Sequence, residues 1–240
     1  MSTMSAATPD RSLHRVQVLL AAAPGMRTTL QEQIETVAKD VSANFVASVR
    51  ICALSQINDD PCPSMNPEGC GFDAVIDIHG PSELVSMGTV FHALSDIPTA
   101  LSGLIDESKS GAVIGWPQEV IPGPRCALRY LYLMRRKDGV SRDDYFDHYF
   151  HRHSEFAFHL KGIKAYTQVH VDIEASNELS AALGFGLRDV DSVTELTFDS
   201  VNEFFAGVEP RAAEASEDEL LFVDREHSVS FCSIDTTIRD

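Results

Sequence analysis

The stretch Leu128–His153, LRYLYLMRRKDGVSRDDYFDHYFHRH, decides the fold. Its first seven residues alternate, with Leu128, Tyr130, Tyr132 and Met134 on one face and Arg129, Leu131 and Leu133 on the other. Period-two alternation in aromatic and aliphatic residues predicts a strand. Lys137-Asp138-Gly139 supplies a turn. Ser141 is suited to cap a helix, and Asp143 and Asp144 place negative charge in its first turn, where the helix dipole favours it. Tyr145, Tyr149, His153, Phe156 and Leu160 follow at spacings of 4, 4, 3 and 4, one face of an amphipathic helix over 141–160. A histidine therefore stands on the inward stripe among aromatics.

Working outward, strands are predicted over 163–172, 190–198 and 228–235, and a helix over 200–207. Ile173–Asp189 is an insertion and Glu209–Glu219 an acidic segment. Upstream, the same order occurs: a strand over 14–20, a helix over 28–39 capped by Thr28 or Thr29, strands over 44–54 and 72–79, a helix over 82–94 and a strand over 110–116. Strand-helix-strand-strand-helix-strand, twice, is an α+β fold of two ferredoxin-like repeats. The expected organisation is a disordered segment 1–12, a first repeat 13–117, a Pro- and Gly-rich linker 118–125 and a second repeat 126–240. Helices cover one face of each sheet, and the other face still needs burial. Packing the two repeats sheet to sheet, as an α+β barrel, buries it. Two separate domains are the alternative, against which the short linker and the apolar residues on both strand faces weigh.

The 240 residues are 44% hydrophobic and carry a formal net charge of −17. Such an acidic chain excludes nucleic acid or an anionic membrane as its main partner, since phosphates must be met by cations. Five cysteines, at 52, 62, 70, 126 and 232, are too few and too scattered for a disulfide framework. Cys62 and Cys70 are expected to be free loop thiols, and no metal site is expected. No apolar run approaches the ~18 residues that span a bilayer, and the first dozen residues lack a signal core, so a cytoplasmic protein is expected. Phosphate-loop, dinucleotide, Gly-x-Ser-x-Gly and His-Glu-x-x-His motifs are all missing.

Arg136, Gly139, Val140, Ser141, Asp143, Asp144, Tyr145, Tyr149 and His153 together resemble the EthD family of the dimeric α+β barrel superfamily. Gly162–His170 is similar to the family's second strand, Val193–Ser200 to its third strand and following helix cap, and Leu220–Asp224 to the segment before its last strand. The resemblance covers roughly residues 126–236. Where the family usually has a proline shortly after the histidine, this chain has Ser154-Glu155.

His153, His170, Tyr166 and Glu195 are the candidate catalytic residues, converging on one pocket. Histidine moves protons near neutral pH, and a tyrosine hydroxyl donates to a developing oxyanion. Tyr130, Tyr132, Tyr149 and Gln168 are candidate substrate-binding residues, with Arg50 and His79 as contributors from the first repeat; an arginine can hold a carboxylate in a bidentate pair. A histidine on an apolar helix face is often only a satisfied core residue; for His153 the family resemblance tips the balance to function. His148, His151 and His159 lie off the stripe and are read as surface. The resemblance implies a cofactor-independent lyase, decarboxylase or isomerase acting on an aromatic, phenolic or polyketide-like small molecule by general acid–base catalysis, in a homodimer. A haem-dependent enzyme of the same superfamily and a non-enzymatic binding or interaction module are the alternatives.

Overall fold

Eight antiparallel strands close into one barrel in the computed structural model, which describes residues 9, 11–60, 62–66, 71–124 and 126–240. They are β1 (Leu13–Leu20), β2 (Arg50–Gln56), β3 (Ala74–Pro81), β4 (Gly111–Ile121), β5 (Leu128–Arg136), β6 (Ala165–Val171), β7 (Ser192–Phe198) and β8 (Val223–Arg239). Around the barrel the order is β1-β3-β2-β8-β5-β7-β6-β4. The four strands of each half are contiguous. The pairs β2–β8 and β4–β6 join the halves, so no sheet edge is left open. The two-domain alternative is thereby excluded.

Among the described residues eight α-helices accompany the strands: α1 (Arg27–Ser42), α2 (Met87–Leu94), α3 (Ile97–Ala100), α4 (Arg142–His148), α5 (Ser154–Ala157), α6 (Ile173–Ala182), α7 (Val201–Val208) and α8 (Ala212–Glu219). Strand alternation sorts the core into layers. One face of the strands fills the barrel with Leu19, Leu54, Val75, Leu131, Val169, Val193 and Phe231. On the outer face of the first half, Leu30, Ile34, Val37 and Val41 of α1 pack on Val16, Val18, Ile51, Ile76 and Ile78. On the outer face of the second half, aromatics dominate: Tyr166, Phe198 and Phe204 pack with Leu196 and Ala157.

Several boundaries differ from the sequence expectations. β4 continues to Ile121 and pairs with β6, so the first half of the expected linker, 118–121, is strand, and Pro117 is accommodated in the ladder opposite Val169. β2 begins at Arg50, later than expected. The expected insertion contains α6, capped by the Asp172 side chain, which accepts from Ala175 N. α1 starts after Met26 without a side-chain cap, and neither Thr28 nor Thr29 serves. Residues 1–8 and 10 of the segment expected to be disordered lie outside the described residues, as does Cys70. Arg11 is placed, with its guanidinium 4.5 Å from the Trp116 ring centre.

The helix expected over 141–160 is broken. Ser141 caps α4 as expected, accepting from Asp144 N at 3.1 Å. A π-helical turn, Tyr149–His153, then leads into α5. Ser154 Oγ donates to the Phe150 carbonyl inside this turn, a back-bond of the kind that bends helices. A π turn inserts an extra residue into the helical register and is frequent at functional sites.

Candidate active site

Tyr130 and Tyr132 point to the helix side of β5, because the alternation that sends Leu131 and Leu133 into the barrel sends them out. The π turn brings His153 over the same sheet face, and α7 and α8 close the other side. Together they enclose a cavity of about 540 Å³. Phe156, Leu160, Leu196, Phe204, Phe205 and Val208 give it apolar walls, and Tyr130 stacks on Phe204 with ring centres 4.8 Å apart.

Its polar end is formed by His153, Tyr132 and Glu219. His153 Nδ1 lies 2.9 Å from Asp218 Oδ2, and His148 Nε2 lies 2.9 Å from Asp218 Oδ1. One carboxylate thus accepts from two imidazoles. The hydrogen bond to Asp218 puts the His153 proton on Nδ1 and leaves Nε2 as an acceptor. His153 Nε2 is 3.9 Å from Glu219 Oε1. Burial lowers the His153 pKa, and Asp218 opposes that shift. Burial pushes Glu219 up to about 7; Arg225, 3.6 Å away, and the neighbouring Tyr132 hydroxyl oppose the rise, while Asp218 adds to it. Desolvation also holds Tyr130 and Tyr132 well above the usual phenol range, so both remain O–H donors at neutral pH. The arrangement can therefore exchange protons with an apolar molecule near pH 7.

Residues 137–226 match the family model described as the EthD domain. That stretch is similar to an EthD domain. All of His148, His153, Asp218 and Glu219 fall within the matched stretch, while Tyr130 and Tyr132 of β5 precede it. No curated protein matches the chain. Among solved structures, an anthrone oxidase-like protein aligns with 11% identity and a TM-score of 0.62, covering 96% of this chain and 95% of its own. A chlorite dismutase from Candidatus Nitrospira defluvii in complex with imidazole aligns with 11% identity and a TM-score of 0.52, covering 95% and 92%. A candidate monooxygenase from Lactobacillus acidophilus aligns with 10% identity and a TM-score of 0.52, covering 94% of each chain. These likenesses extend over nearly the whole chain and show a shared α+β barrel fold.

The expected convergence of His153, Tyr166, His170 and Glu195 does not occur. His153 and Tyr166 share the cavity. His170 is on the same face of β6 as Tyr166 but lies over the other end of the strand, stacked on Phe146 at 4.1 Å; burial, then Arg142, lowers its pKa to about 4. Glu195 projects to the opposite side of the sheet, into the barrel, since it pairs with Thr167 and not with Tyr166 in strand alternation. Of the candidate substrate-binding residues, Tyr130 and Tyr132 line the cavity. Tyr149 and Gln168 are fully buried behind it. Tyr149 shares a hydrogen bond with the Thr194 hydroxyl, and Gln168 Nε2 donates to Tyr166 Oη at 2.7 Å. Arg50 and His79 sit at the barrel mouth, far from this chemistry in the chain's layering, where they bond each other at 2.7 Å. His148 is no surface residue: Asp218 holds it and Phe222 stacks on it at 4.6 Å.

Inside the barrel, Glu195 belongs to an ionic cluster. Arg15 bonds Asp77 through Nε and Nη2, each at 2.8 Å, and also bonds Glu195; Arg129 bonds Asp77 at 2.7 Å and also Asp235. Burial alone would raise the Asp77 and Glu195 pKa values, but Arg15 and Arg129 overrule it and hold both below the usual carboxylate range. These carboxylates stay charged and paired, which suits structure better than proton transfer.

Asp218 and Glu219 were missed because an acidic run usually marks a solvated face. The signal that could have found them is the apolar Leu220-Leu221-Phe222 that follows directly. Among the described residues Cys62, Cys126 and Cys232 are free thiols. Tertiary folding nevertheless brings Cys232 of β8 to within 3.8 Å of Cys62, Sγ to Sγ, and one ligand atom each from Asp60, Cys62 and Cys232 lies within 4.8 Å of the others. That trio could hold a metal ion. Asp60 already accepts from the backbone N–H groups of Cys62 and Cys232. Among the described residues no helix is long and apolar enough to cross a membrane.

Proposed function

We propose that the chain is a small-molecule enzyme that moves protons on a flat aromatic or phenolic substrate held in the cavity of its second half. The observation that carries this reading is the pairing of Glu219, with a pKa of about 7, and His153 at the polar end of an otherwise apolar cavity. Perturbed titratable groups in a pocket mark functional sites.

In this reading the apolar walls bind the ring face and exclude water. Asp218 orients the His153 ring, and His153 Nε2 takes a proton from the substrate. Glu219, protonated about half the time near pH 7, returns a proton to a neighbouring atom. Tyr130 and Tyr132, held in their protonated form, donate hydrogen bonds to a phenolic or enolic oxygen as charge develops. Such a set serves a lyase, decarboxylase or isomerase without any bound cofactor. The names of the structural neighbours, an anthrone oxidase-like protein and a monooxygenase among them, agree with an enzyme acting on small molecules.

The residues fit haem less well. Glu219 stands 3.9 Å from the His153 nitrogen that would bind iron, and Arg211 is the one cation among the lining residues to meet two propionates.

The test is a panel of phenolic acids and hydroxylated polycyclic ketones, followed by chromatography and by solvent-deuterium incorporation. With a turned-over compound, Glu219→Gln and His153→Gln should each lower kcat by roughly a hundredfold, with unchanged circular dichroism. Full turnover in both variants would remove the acid–base assignment. A visible absorption band in the purified protein would favour the haem alternative.

A further inference from the structure

A second cavity, of about 450 Å³, opens at the barrel mouth between the two halves, where the first half contributes Arg50 and His79 and the second contributes Thr167, Glu195 and Thr197. We propose that it is a ligand site of its own, taking a small organic carboxylate held by Arg50, His79 and Thr197. The inference does not depend on the function assigned to the other cavity.

Among the described residues Arg50 has no counter-ion. Arg15 and Arg129 are each bonded to carboxylates, whereas Arg50 has no carboxylate within 4.0 Å among the described residues. Its one hydrogen bond there runs through Nη2 to His79 Nδ1, at 2.7 Å, and its buried Nε has no partner. A guanidinium can only donate, so His79 Nδ1 must accept. That fixes the tautomer with the proton on Nε2, and this buried Nε2 also lacks a partner. Burial, then the charges of Arg15 and Arg50, lowers the His79 pKa to about 4, so the ring is neutral at pH 7. Thr197 is 3% exposed, and its hydroxyl is a third buried polar atom without a partner.

Buried polar atoms are ordinarily satisfied, and three unsatisfied ones around one cavity need an explanation. An N–H of Arg50, the N–H of His79 and the hydroxyl of Thr197 can all donate, while a carboxylate can only accept. Arg favours planar carboxylates because its donors form a fork. Glu195 also lines the cavity, but its charge is taken by Arg15 and Arg129. Glu119 is exposed at the rim. Leu13, Pro117, Ile121 and Ala165 give the carboxylate's carbon chain an apolar wall.

The experiment uses the full chain at pH 7.5 and constant ionic strength, with acetate, pyruvate and benzoate as probes and acetamide and inorganic phosphate as controls. Thermal unfolding and titration calorimetry give the readout. At least one carboxylate should raise the unfolding midpoint and bind with one-to-one stoichiometry, acetamide should not, and Arg50→Gln and Thr197→Val should each weaken binding by tenfold or more. Glu219→Gln, in the other cavity, should bind as the wild type does. If Arg50→Gln fails to fold, the nearly isosteric Thr197→Val decides. The proposal is overturned if no carboxylate binds, if phosphate alone does, if Thr197→Val binds as tightly as wild type, or if Glu219→Gln abolishes binding.

Discussion

The two halves of the barrel follow a similar strand and helix order, apart from α6 between β6 and β7, and fill the space outside the sheet differently. In the first half, α1 and α2 lay aliphatic side chains on the strands, and Leu30, Ile34, Ile51, Ile76, Val90 and Leu94 are all completely buried. In the second half, the corresponding space is walled by aromatics and left hollow, with the π turn and α8 bringing His153 and Glu219 to its edge. Branched aliphatic side chains interdigitate and fill a layer to near-crystalline density. Large rings on β5, β6 and α7, facing small residues such as Ala157, Ala212 and Ala215, leave a void shaped for a flat molecule. The difference lets one scaffold keep a filled layer in one half and a candidate site in the other.

The comparison can be broken most forcefully at the cluster that both halves share. Asp77 of the first half is bonded by Arg15 and by Arg129 of the second. Asp77→Asn would leave buried arginines short of charge and should cost about 3–5 kcal/mol, read by urea unfolding; a loss below about 1 kcal/mol would show that the halves do not depend on it. A smaller effect sharpens the contrast between the filled and hollow layers. Ile34→Ala should cost about 3 kcal/mol, because it opens a cavity in a close-packed layer. Leu160→Ala, at the edge of an existing cavity, should cost about 1 kcal/mol. Equal losses would mean that the second half is as tightly packed as the first.

The pH dependence of stability gives the last test. Glu219 has its folded pKa raised from 4.5 to about 7, so the native state binds more protons than the unfolded chain between these values. Its stabilising effect is complete below pH 4.5 and is lost as pH rises through 7, which amounts to at most about 3 kcal/mol. Glu219→Gln should therefore be more stable than the wild type at pH 8 and should lose this slope. His79 acts oppositely: its lowered pKa makes stability fall as pH drops from 6.5 towards 4. Thermal midpoints from pH 4 to 8 for wild type and Glu219→Gln check the assignment, and parallel curves would remove Glu219 from the buried polar end.

Much of the site was legible one residue at a time. The heptapeptide beginning at Leu128 placed Tyr130 and Tyr132 on one face and Arg129 on the other, and both assignments stand. The stripe through Tyr145 and Tyr149 correctly turned His153 inward. What failed was the joining of these faces. His170 shares parity with Tyr166, yet strand rise carries it to another cleft, and Glu195 lies across the sheet. Distances across a barrel depend on which strands neighbour each other, and no local period encodes that order. Asp218 and Glu219 were illegible for a related reason. An acidic run has the same letters whether it faces water or folds back over a histidine 65 residues away.

By itself, then, the sequence determined most of the strands and the main helices, because alternation and helical spacing are local consequences of backbone geometry. It determined the α+β class, because twelve such elements in a repeated order admit few packings. Tertiary structure decided the rest. Closure through β2–β8 and β4–β6 set which faces became a barrel interior and which became an outer layer. That choice buried Glu219 and raised its pKa, paired Glu195 with arginines and held it low, and left Arg50 without a counter-ion at the barrel mouth. Two glutamates of the same intrinsic acidity were driven in opposite directions, because desolvation and neighbouring charge are properties of position in space.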